Sequence, residues 1–485
     1  MRHKSAGWGS PHRIVAIVVS CMLLAAAPLS KACFSIVVGK DASADGCVLV
    51  GHNEDDAGSQ LVNHRKESQR TYPPGATVKL RNGGSLEQVP QTWAYLWSEM
   101  PGQLFSDSYV NEWGVTVASD NCPSREDQPE ITDGGIGYML RRLVAERART
   151  AREGVLLAGS LVERFGYIDS GRTYVIADPD EGWLFSAING KHWLAQRVPD
   201  NEVAMVANTY TIRSVDLKDS RSFLASKDIV DYAKSRGWYD ASSGGPFDFA
   251  AVYANPKAAS HPNNLGRQWS GLKYVTSEPL EPGPHLPFSV VPRQKLGVAD
   301  VMQILRHDKE SEPAPSARVS PFICALCSGA TQTSFVAQLR KTAPADIGLV
   351  YWVSLASPRT SFYIPFHFGI WSFPVGWRLR SEKPTDEFYS RCVQTPFTPN
   401  PLEAFWVYSN FRDKADKAGP AVVAQVRTQA EQLERDAVAI QPAIEEATRR
   451  LYETDQGSAM RLLANYSKGL YLSSLERMSA VLSEE

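Results

Sequence analysis

The chain has no excess of positive charge. Its 485 residues include 51 Lys and Arg against 53 Asp and Glu, a formal net charge of −2. Proteins that bind nucleic acid usually need a basic surface to neutralise phosphates, so this balance argues against a nucleic-acid partner. The sequence also has no internal repeat and no low-complexity block, which argues against a repeat array and favours one or two large globular domains.

Long apolar runs are scarce as well. The single candidate, residues 14–29, is shorter than the roughly 20 apolar residues that a membrane span needs. Basic residues and no acidic residue precede this run, and the small residues Ser30 and Ala32 follow it, as in a cleavable export signal. We therefore expect residues 1–32 to be a signal peptide, no stable membrane span to remain after its removal, and the protein to be periplasmic or secreted.

Cleavage after Ala32 would give the mature chain an N-terminal cysteine, Cys33. Such a residue carries a nucleophilic thiol and a free α-amine, and the amine can accept the thiol proton because the two pKa values are similar, about 8.5 and about 7.7–8.0. Losing the four basic residues of the signal would leave 47 Lys and Arg against 53 Asp and Glu, a net charge of −6. Two alternatives stay open: an uncleaved membrane anchor, and a lipoprotein signal in which the Cys33 thiol would be lipidated.

Patterns of metal ligands are also sparse. Of seven cysteines, Cys324 and Cys327 form one CxxC pair, and no second such pair or nearby pair of histidines completes a four-ligand zinc site. We therefore predict no metal and no cofactor. The cysteines are expected to be buried or disulfide-bonded, with a redox motif as the alternative. No arrangement of Ser, His and Asp stands out as a catalytic triad.

Hydrophobic periodicity predicts an α+β protein. Apolar and β-branched residues predict a first strand at Phe34–Val38, and an Asp-Gly turn signal predicts a hairpin to a second strand at 47–51. Helical patterns at 135–149 and 153–165 come next, and several strand patterns follow them. Strands, then helices, then strands are typical of sheets packed against helices.

The last part of the chain has a different pattern. Between Val422 and Leu451, apolar residues recur every three or four positions, which predicts an amphipathic helix with a kink or a restart at Pro442. A second helix is predicted at 457–482. We expect these helices to cover the main body of the protein rather than to bind a partner.

Segments along the sequence resemble a known family. Residues 33–46 (CFSIVVGKDASADG) and 51–55 (GHNED) resemble the start of mature dipeptidase A enzymes, which are cysteine N-terminal-nucleophile hydrolases related to secernins and, more distantly, to bile-salt hydrolases and penicillin V acylases. Shorter similarities follow in the same order at 147–153, 193–200, 205–208, 266–269, 331–334 and 404–406. The resemblance implies a four-layer αββα fold over residues 33–410, with residues 411–485 as a helical C-terminal addition.

The resemblance also implies roles for five residues. Cys33 would attack the scissile carbonyl to form a thioacyl enzyme, which water then hydrolyses. Asp55 matches the acid that orients the nucleophile and its amine, and Arg267 matches an arginine near the nucleophile. Asn121 and Asn208 match polar groups at the oxyanion hole, where losing one donor can cost about 10²–10³ in rate. As alternatives, Asp55 could lie in a turn, each Asn could cap a turn, and Arg267 could be solvated.

His52 departs from the family pattern, in which arginine commonly precedes Asn-Glu-Asp. Arginine would place a permanent charge beside the thiol, whereas an unperturbed histidine titrates near pH 6.5. The departure leaves open how the thiolate is stabilised. His52 could also act as a general base, although the α-amine of Cys33 would already supply one.

These observations predict an exported thiol protease, a cysteine dipeptidase that acts on small peptides. Two other functions stay open: an acyl-amide hydrolase of the same fold, and a non-catalytic surface lipoprotein. A dipeptide needs a carboxylate to pair with its ammonium group, whereas an acyl chain needs an apolar cavity. The sequence does not say which groups line the pocket, and a homo-oligomer is also an open option.

Overall fold

The described part of the protein mixes strands and helices, as expected for an α+β protein. A computed structural model describes residues 33–56, 60–101, 105–308, 324–341, 343–377 and 399–483. The predicted signal peptide, residues 1–32, lies outside these ranges. Among the described residues, no helix combines the length and the apolar character that crossing a membrane requires.

Two large antiparallel sheets form the centre of the fold. The strands in the described ranges, numbered along the chain, are β1 (Phe34–Val38), β2 (Val48–Asp55), β3 (Asn63–Glu67), β4 (Arg70–Thr71), β5 (Thr77–Lys79), β6 (Ser85–Glu87), β7 (Gln91–Thr92), β8 (Tyr95–Met100), β9 (Phe105–Asn111), β10 (Thr116–Asn121), β11 (Tyr167–Ala177), β12 (Gly182–Gly190), β13 (Trp193–Val198), β14 (Val203–Val206), β15 (Ser214–Val215), β16 (Phe223–Ala225), β17 (Phe247–Asp248), β18 (Ser289–Val290), β19 (Thr331–Leu339), β20 (Leu349–Leu355) and β21 (Ile364–His367). The first sheet has the order β18-β14-β1-β2-β19-β20-β21, and the second has the order β16-β13-β12-β11-β10-β9-β8-β3.

Helices lie between and after these strands in the chain. In the same ranges they are α1 (Met139–Arg147), α2 (Ala151–Phe165), α3 (Ile229–Ser235), α4 (Phe249–Tyr253), α5 (Pro256–Ala259), α6 (Pro262–Val275), α7 (Val298–Arg306), α8 (Ala345–Gly348), α9 (Ala404–Ala418), α10 (Pro420–Tyr452) and α11 (Gln456–Ser483).

Alternation along β1 directs neighbouring side chains to different parts of the core, because successive residues of a strand point to opposite faces. Ile36 packs in one apolar cluster with Leu272 of α6 and Val301 of α7. Its neighbour Val37 packs in another cluster with Ala118 of the second sheet. Neighbouring residues of β1 therefore belong to two apolar clusters, one shared with α6 and α7 and one shared with the second sheet.

The far face of the second sheet packs on α1 and α2. Val117 of β10 shares a cluster with Leu143 of α1 and Val162 of α2. The alternation on β10 thus mirrors that on β1. The largest fully buried aromatic side chains of the described residues, Trp97, Trp183, Trp352 and Trp377, lie in these clusters.

Local sequence explains the bounds of α2, which was predicted at 153–165. The Thr150 side chain caps the N-terminus by accepting a hydrogen bond from the Glu153 amide, 3.1 Å away. Gly166, with a positive φ of 78°, ends the helix. Inside the helix, Gly159 faces Trp193 so closely that a Cβ would overlap the indole ring. The helix therefore lies nearer to β13 than any larger residue would allow.

The predicted first hairpin is present, but its second strand is longer than expected. β1 has the predicted bounds, whereas β2 continues to Asp55 instead of ending near residue 51. The polar segment His52–Asp55 stays in strand conformation because β2 pairs with β1 on one side and with β19 on the other. Every residue of β2 is buried. This places four consecutive polar side chains inside the protein.

The C-terminal helices share the core of the sheets. Phe411 of α9, Val426 of α10 and Leu463 of α11 belong to the same apolar cluster as Val37. The predicted boundary between residues 410 and 411 falls within α9. An ion pair between Arg306 of α7 and Glu434 of α10, with N–O distances of 2.5 and 2.8 Å, joins α10 to the body.

Pro442 does not end its helix, contrary to the predicted restart. The α10 helix runs without interruption from residue 420 to residue 452. Next to the proline, the buried Gln441 side chain donates to Gln338 of β19 at 3.0 Å and to Glu445 at 2.7 Å. The bond to Gln338 fixes the helix to β19 beside Pro442, and the bond to Glu445 spans, within the helix, the position where proline removes a backbone donor.

Candidate active site

The ends of three strands meet around Cys33. β1 pairs with β2 and β14, with Phe34 opposite Asn53 and Ser35 opposite Val206. Continuing these antiparallel registers by one or two residues brings the ends of β2 and β14 beside Cys33. Strand pairing thus brings together residues that are far apart in the chain.

The Cys33 thiol is buried among carboxylates. Its side chain is 3% exposed, and Sγ lies 3.4 Å from Oε2 of Glu54 and 3.8 Å from the main-chain oxygen of Asp55. Burial, followed by the charges of Glu54, Asp120 and Asp55, raises the pKa of the Cys33 thiol well above its usual value. The thiol is therefore neutral at rest, and a base must take its proton before it can attack a carbonyl.

Asp55 is fixed by hydroxyl groups. Its Oδ1 accepts a hydrogen bond from Thr331 at 2.6 Å, and its Oδ2 accepts one from Ser328 at 3.1 Å. Burial raises the pKa of Asp55 to about 6, although the hydroxyl donors and the charge of Arg267 oppose the shift. Asp55 is the last residue of β2 and not part of a turn.

Arg267 connects the nucleophile to Asn208. It lies on α6, is 2% exposed, and donates from Nη1 to the main-chain oxygen of Cys33 at 2.7 Å. Its Nη2 donates to Oδ1 of Asn208, also at 2.7 Å. Burial lowers the pKa of Arg267, while Asp55 and Cys33 oppose that shift. The arginine is buried and not solvated, and its guanidinium group binds the backbone of Cys33 and the side chain of Asn208 at the same time.

Asn208 has an unusual backbone conformation. Its φ is 49°, in the left-handed region that asparagine tolerates better than most residues. The Asn208 side chain donates from Nδ2 to the main-chain oxygen of Asn121 at 2.9 Å. The same amide nitrogen has a second N–H, for which the described residues provide no acceptor. Arg267 already orients the amide group that carries this N–H.

Asn121 is part of the site through its main chain. Its side-chain Oδ1 accepts a hydrogen bond from Ser170 at 3.0 Å. Alternation along β10 places Asp120, not Asn121, on the face shared with Ala118 and the first sheet. The predicted oxyanion role of Asn121 stays a prediction, and the contact that links it to Asn208 is a backbone one.

His52 lies at the centre of a buried acidic cluster. Its Nε2 is 2.9 Å from Oδ1 of Asp107 and 3.3 Å from Oε2 of Glu54. Its Nδ1 is 2.9 Å from Oγ of Ser35, which in turn donates to Oδ2 of Asp120 at 2.5 Å. Because the one hydroxyl proton of Ser35 goes to Asp120, Nδ1 must be the donor toward Ser35.

Oxygen acceptors next to both ring nitrogens of His52 favour the doubly protonated, charged form of the ring. Burial alone would lower the pKa of His52, but the charge and hydrogen bond of Asp107 and the hydrogen bond of Glu54 raise it well above its usual value. Burial raises the pKa of Glu54 to about 7. His52 thus supplies a positive charge at a position where arginine is common in the family pattern.

Sequence reasoning did not identify Ser35, Glu54, Asp107 or Asp120 as parts of this site. Ser35 was the clearest signal, because it is the one polar residue in an apolar strand and all five residues of that strand are buried. Asp107 and Asp120 occupy strand positions without exposure, which also points to buried partners. Their partner His52 was noted as a departure from the family pattern and as an alternative general base.

None of the cysteines among the described residues is disulfide-bonded. Cys33, Cys47, Cys122 and Cys327 are buried, and Cys324 is partly buried. The CxxC pair is therefore not a disulfide in this structure, and the thiol of Cys327 contacts main-chain oxygens of residues 306 and 307.

Comparison with known proteins identifies the family. The sequence model described as "Peptidase family C69" matches residues 111–395, more than half of the chain. The chain belongs to peptidase family C69. It is therefore a hydrolase of peptide bonds. The matched range includes Asn121, Asn208 and Arg267 and begins after Cys33 and Asp55.

Similar proteins carry consistent names. A "Probable dipeptidase" of Salmonella dublin is 27% identical over 369 residues, covering 71% of this chain and 83% of that protein. A "Probable dipeptidase" of Latilactobacillus sakei is 26% identical over 404 residues, covering 78% and 80%. A "Probable dipeptidase B" of Streptococcus pyogenes serotype M1 is 24% identical over 365 residues, covering 70% and 72%. This C69 peptidase thus resembles dipeptidases over most of its length.

Proposed function

We propose that the protein is a cysteine dipeptidase whose nucleophile is Cys33. The observation that carries the proposal is the convergence of Cys33, Arg267 and Asn208, joined by two 2.7 Å hydrogen bonds. The names of the C69 relatives support dipeptides as the substrate class. After removal of residues 1–32, the α-amine of Cys33 would be the base that the buried thiol requires.

The reaction would proceed in two halves. The α-amine takes the proton from Sγ, and Sγ attacks the scissile carbonyl carbon, whose π electrons move onto oxygen. When the tetrahedral intermediate collapses, the C–N bond breaks, and the leaving amine receives the proton that the α-amine carried. Water then attacks the thioacyl carbon while the α-amine takes a proton from the water. The C–S bond breaks, the acid is released, and the proton on the α-amine returns to Sγ.

Asn208 is the best candidate donor to the developing oxyanion. Its amide is oriented on both sides, since Oδ1 accepts from Arg267 and Nδ2 donates to the main chain of Asn121. A preorganised donor of this kind stabilises charge in the transition state without reorganisation. Arg267 acts as a positioning residue for Asn208 and for the backbone of Cys33. Asp55, held by two hydroxyl groups, would orient the α-amine.

The proposal includes a four-layer αββα fold. Three apolar clusters support this layering: one between the first sheet and α6 and α7, one between the two sheets, and one between the second sheet and α1 and α2. Residues 33–410 would form the hydrolase domain, with residues 411–485 as a helical addition that shares its core.

Export is also part of the proposal, because the mechanism needs a free amine on Cys33. The motivation is the sequence of residues 1–32, with its basic start, apolar run and small residues before Cys33. The mature enzyme would act on small peptides in the periplasm or outside the cell.

Intact mass spectrometry combined with a substrate panel tests the function. We expect the exported protein to begin at Cys33 and to hydrolyse dipeptides faster than acyl amides. Cys33→Ala should abolish turnover, whereas Cys47→Ala, which alters a cysteine of equal 3% exposure at the other end of β2, should retain it. A fully active chain that starts elsewhere, or an active Cys33→Ala variant, would overturn the mechanism. Preference for acyl amides would overturn the substrate class alone.

A further inference from the structure

We propose that Cys33, His52 and Glu54 form a binding site for one thiophilic divalent cation of the Zn²⁺ class. The three side chains are buried, and one ligand atom from each (Sγ, an imidazole nitrogen and a carboxylate oxygen) lies within 4.8 Å of the other two. A thiolate, an imidazole and a carboxylate are the donors that zinc prefers in proteins. Occupancy of this site would silence the nucleophile.

The distances suit tetrahedral coordination. Zinc binds sulfur at about 2.3 Å, nitrogen at about 2.0–2.1 Å and carboxylate oxygen at about 2.0–2.2 Å, so neighbouring ligand atoms are separated by roughly 3.4–3.6 Å. In the protein, Oε2 of Glu54 is 3.4 Å from Sγ of Cys33 and 3.3 Å from Nε2 of His52. Two of the three pairs of donor atoms thus have close to the spacing that the cation requires, and the third pair, Sγ and the imidazole nitrogen, lies within 4.8 Å.

The surroundings of His52 orient the ring for this role. Its Nδ1 donates to Ser35, which donates to Asp120, so Nε2 is the nitrogen that faces Glu54 and the thiol. Histidine ligands of metals commonly donate their other ring N–H to an outer partner that fixes the ring. Here that outer partner is present before any metal binds.

Binding exchanges protons for the cation, because a thiolate and a ring nitrogen with a free lone pair are the forms that bind a metal. The S–H bond of Cys33 and any N–H bond at Nε2 of His52 break heterolytically, the protons go to water, and each electron pair forms a bond to the cation. Nothing is oxidised or reduced. The buried side chains of Asp107 and Asp120 lie beside His52 and Ser35, so the cation would enter a cluster that is rich in carboxyl groups.

His52 is the residue that makes the site specific to this chain. Arginine, common at this position in the family pattern, has no lone pair to offer a metal. Nucleophilic attack needs the electron pair of the Cys33 thiolate that the cation would occupy. The inference goes beyond the proposed function, since metal binding is measured without any substrate.

Titration with Co²⁺ is the direct test, because a cobalt–thiolate bond gives a charge-transfer absorption in the near ultraviolet. We expect the metal-free purified protein to show this absorption at one equivalent of Co²⁺ and to lose it when Zn²⁺ is added. Cys33→Ala should abolish the absorption. His52→Arg and Glu54→Gln should each weaken affinity by about 100-fold or more, since even the loss of an outer partner costs 10–100-fold.

Cys327→Ala is the matched control, because it removes a buried cysteine of the CxxC pair and leaves the proposed ligands intact. Its absorption should equal that of the unmodified protein. Absorption that is absent from the unmodified protein, survives Cys33→Ala or disappears in Cys327→Ala would overturn the site. Near-ultraviolet circular dichroism verifies folding, and Cys33→Ser serves as a second variant if Cys33→Ala does not fold. Failure of dipeptide hydrolysis with normal cobalt binding would count against the proposed function alone.

Discussion

The side chains around Cys33 differ in how far sequence could identify them. Cys33 was identified from its position after the export signal, and Asp55, Asn208 and Arg267 through family resemblance; strand pairing and α6 bring them together. The buried carboxyl groups of Asp107 and Asp120 around His52 were not identified, because they come from β9 and β10 of the other sheet. No local pattern reports which residues two sheets will place face to face. The pairing of His52 with buried carboxyl groups is therefore the part of the site that could be identified only from the three-dimensional structure.

Asn208 gives the sharpest prediction at the residue scale. Asn208→Gly should retain the fold, because glycine readily adopts the φ of 49°, but it removes the candidate oxyanion donor. We expect kcat/KM for a dipeptide to fall about 10²–10³-fold. Asn121→Ala, which removes a side chain bonded to Ser170, should cost much less. Equal losses in the two variants would contradict the assignment of Asn208.

The buried histidine His64 should make the free energy of unfolding depend on pH in the acidic range. Its ring packs against Tyr351, Phe373 and Trp377, and neither ring nitrogen has a hydrogen-bond partner within the described ranges. Burial lowers the pKa of His64 to about 3, against about 6.5 when unfolded. The unfolded chain therefore binds a proton first as the pH falls, and this group's contribution to the free energy of unfolding is lost between about pH 6.5 and pH 3.

His64→Phe should remove this loss, which amounts to at most about 1.4 kcal/mol per pH unit. Urea unfolding at neutral pH and near pH 4.5 measures it, since that lower value lies about midway between the two pKa values. His285→Phe changes an exposed histidine and serves as the control. A pH dependence that is the same in His64→Phe and in the unmodified protein would show that another group causes it.

At the scale of elements, the sequence predicted a strand or helix correctly where the element's own residues determine its bounds. β1 was predicted from its apolar and β-branched residues and α2 from its helical periodicity, and both are present. β2 was predicted too short, since its polar end is held by neighbouring strands. Of the two alternatives predicted at Pro442, the restart was wrong for a related reason, because a contact between α10 and β19 holds the helix next to the proline. The kink stays a prediction.

Two glycines within helices should respond in opposite ways to alanine. Gly159→Ala in α2 would drive a Cβ into the Trp193 indole, and such overpacking typically costs about 1–3 kcal/mol. Gly469→Ala in α11 meets nothing within 4 Å and should stabilise by about 0.5–1 kcal/mol. Chemical denaturation of both variants measures the difference. Stabilisation by Gly159→Ala would mean that α2 does not pack on β13 as described.

For the whole molecule, the main finding is that the C-terminal helices and the sheets have a common core. The sequence predicted that these helices cover the body. Apolar periodicity indicated the buried face in the first part of α10, through Val422 and Val426, but not in its second part, where Ile440 and Leu451 are exposed. The sequence did not predict that Arg306 of α7 and Glu434 of α10 would form a buried pair 128 residues apart in the chain. The sequence around Arg306 or around Glu434 does not indicate which distant residue will be its partner.

Thermal unfolding should therefore occur as one transition that includes α9, α10 and α11. Glu434→Gln leaves the buried charge of Arg306 without a counter-charge and should cost about 3–5 kcal/mol. Glu431→Gln, on a more exposed position of the same helix, should cost about 1 kcal/mol or less. Differential scanning calorimetry measures both. Two separate transitions, with only one shifted by Glu434→Gln, would indicate that the helices fold independently.

The alternation along β2 has a consequence for how related sequences diverge. His52 and Glu54 contact Ser35, Asp107 and Cys33 between the sheets, whereas Asp55 is bound by Ser328 and Thr331. Adjacent positions therefore belong to different groups of interacting residues. Among homologues, an exchange of histidine for arginine at position 52 should covary with positions 35 and 107. It should leave positions 328 and 331, which covary with position 55, statistically independent of that exchange.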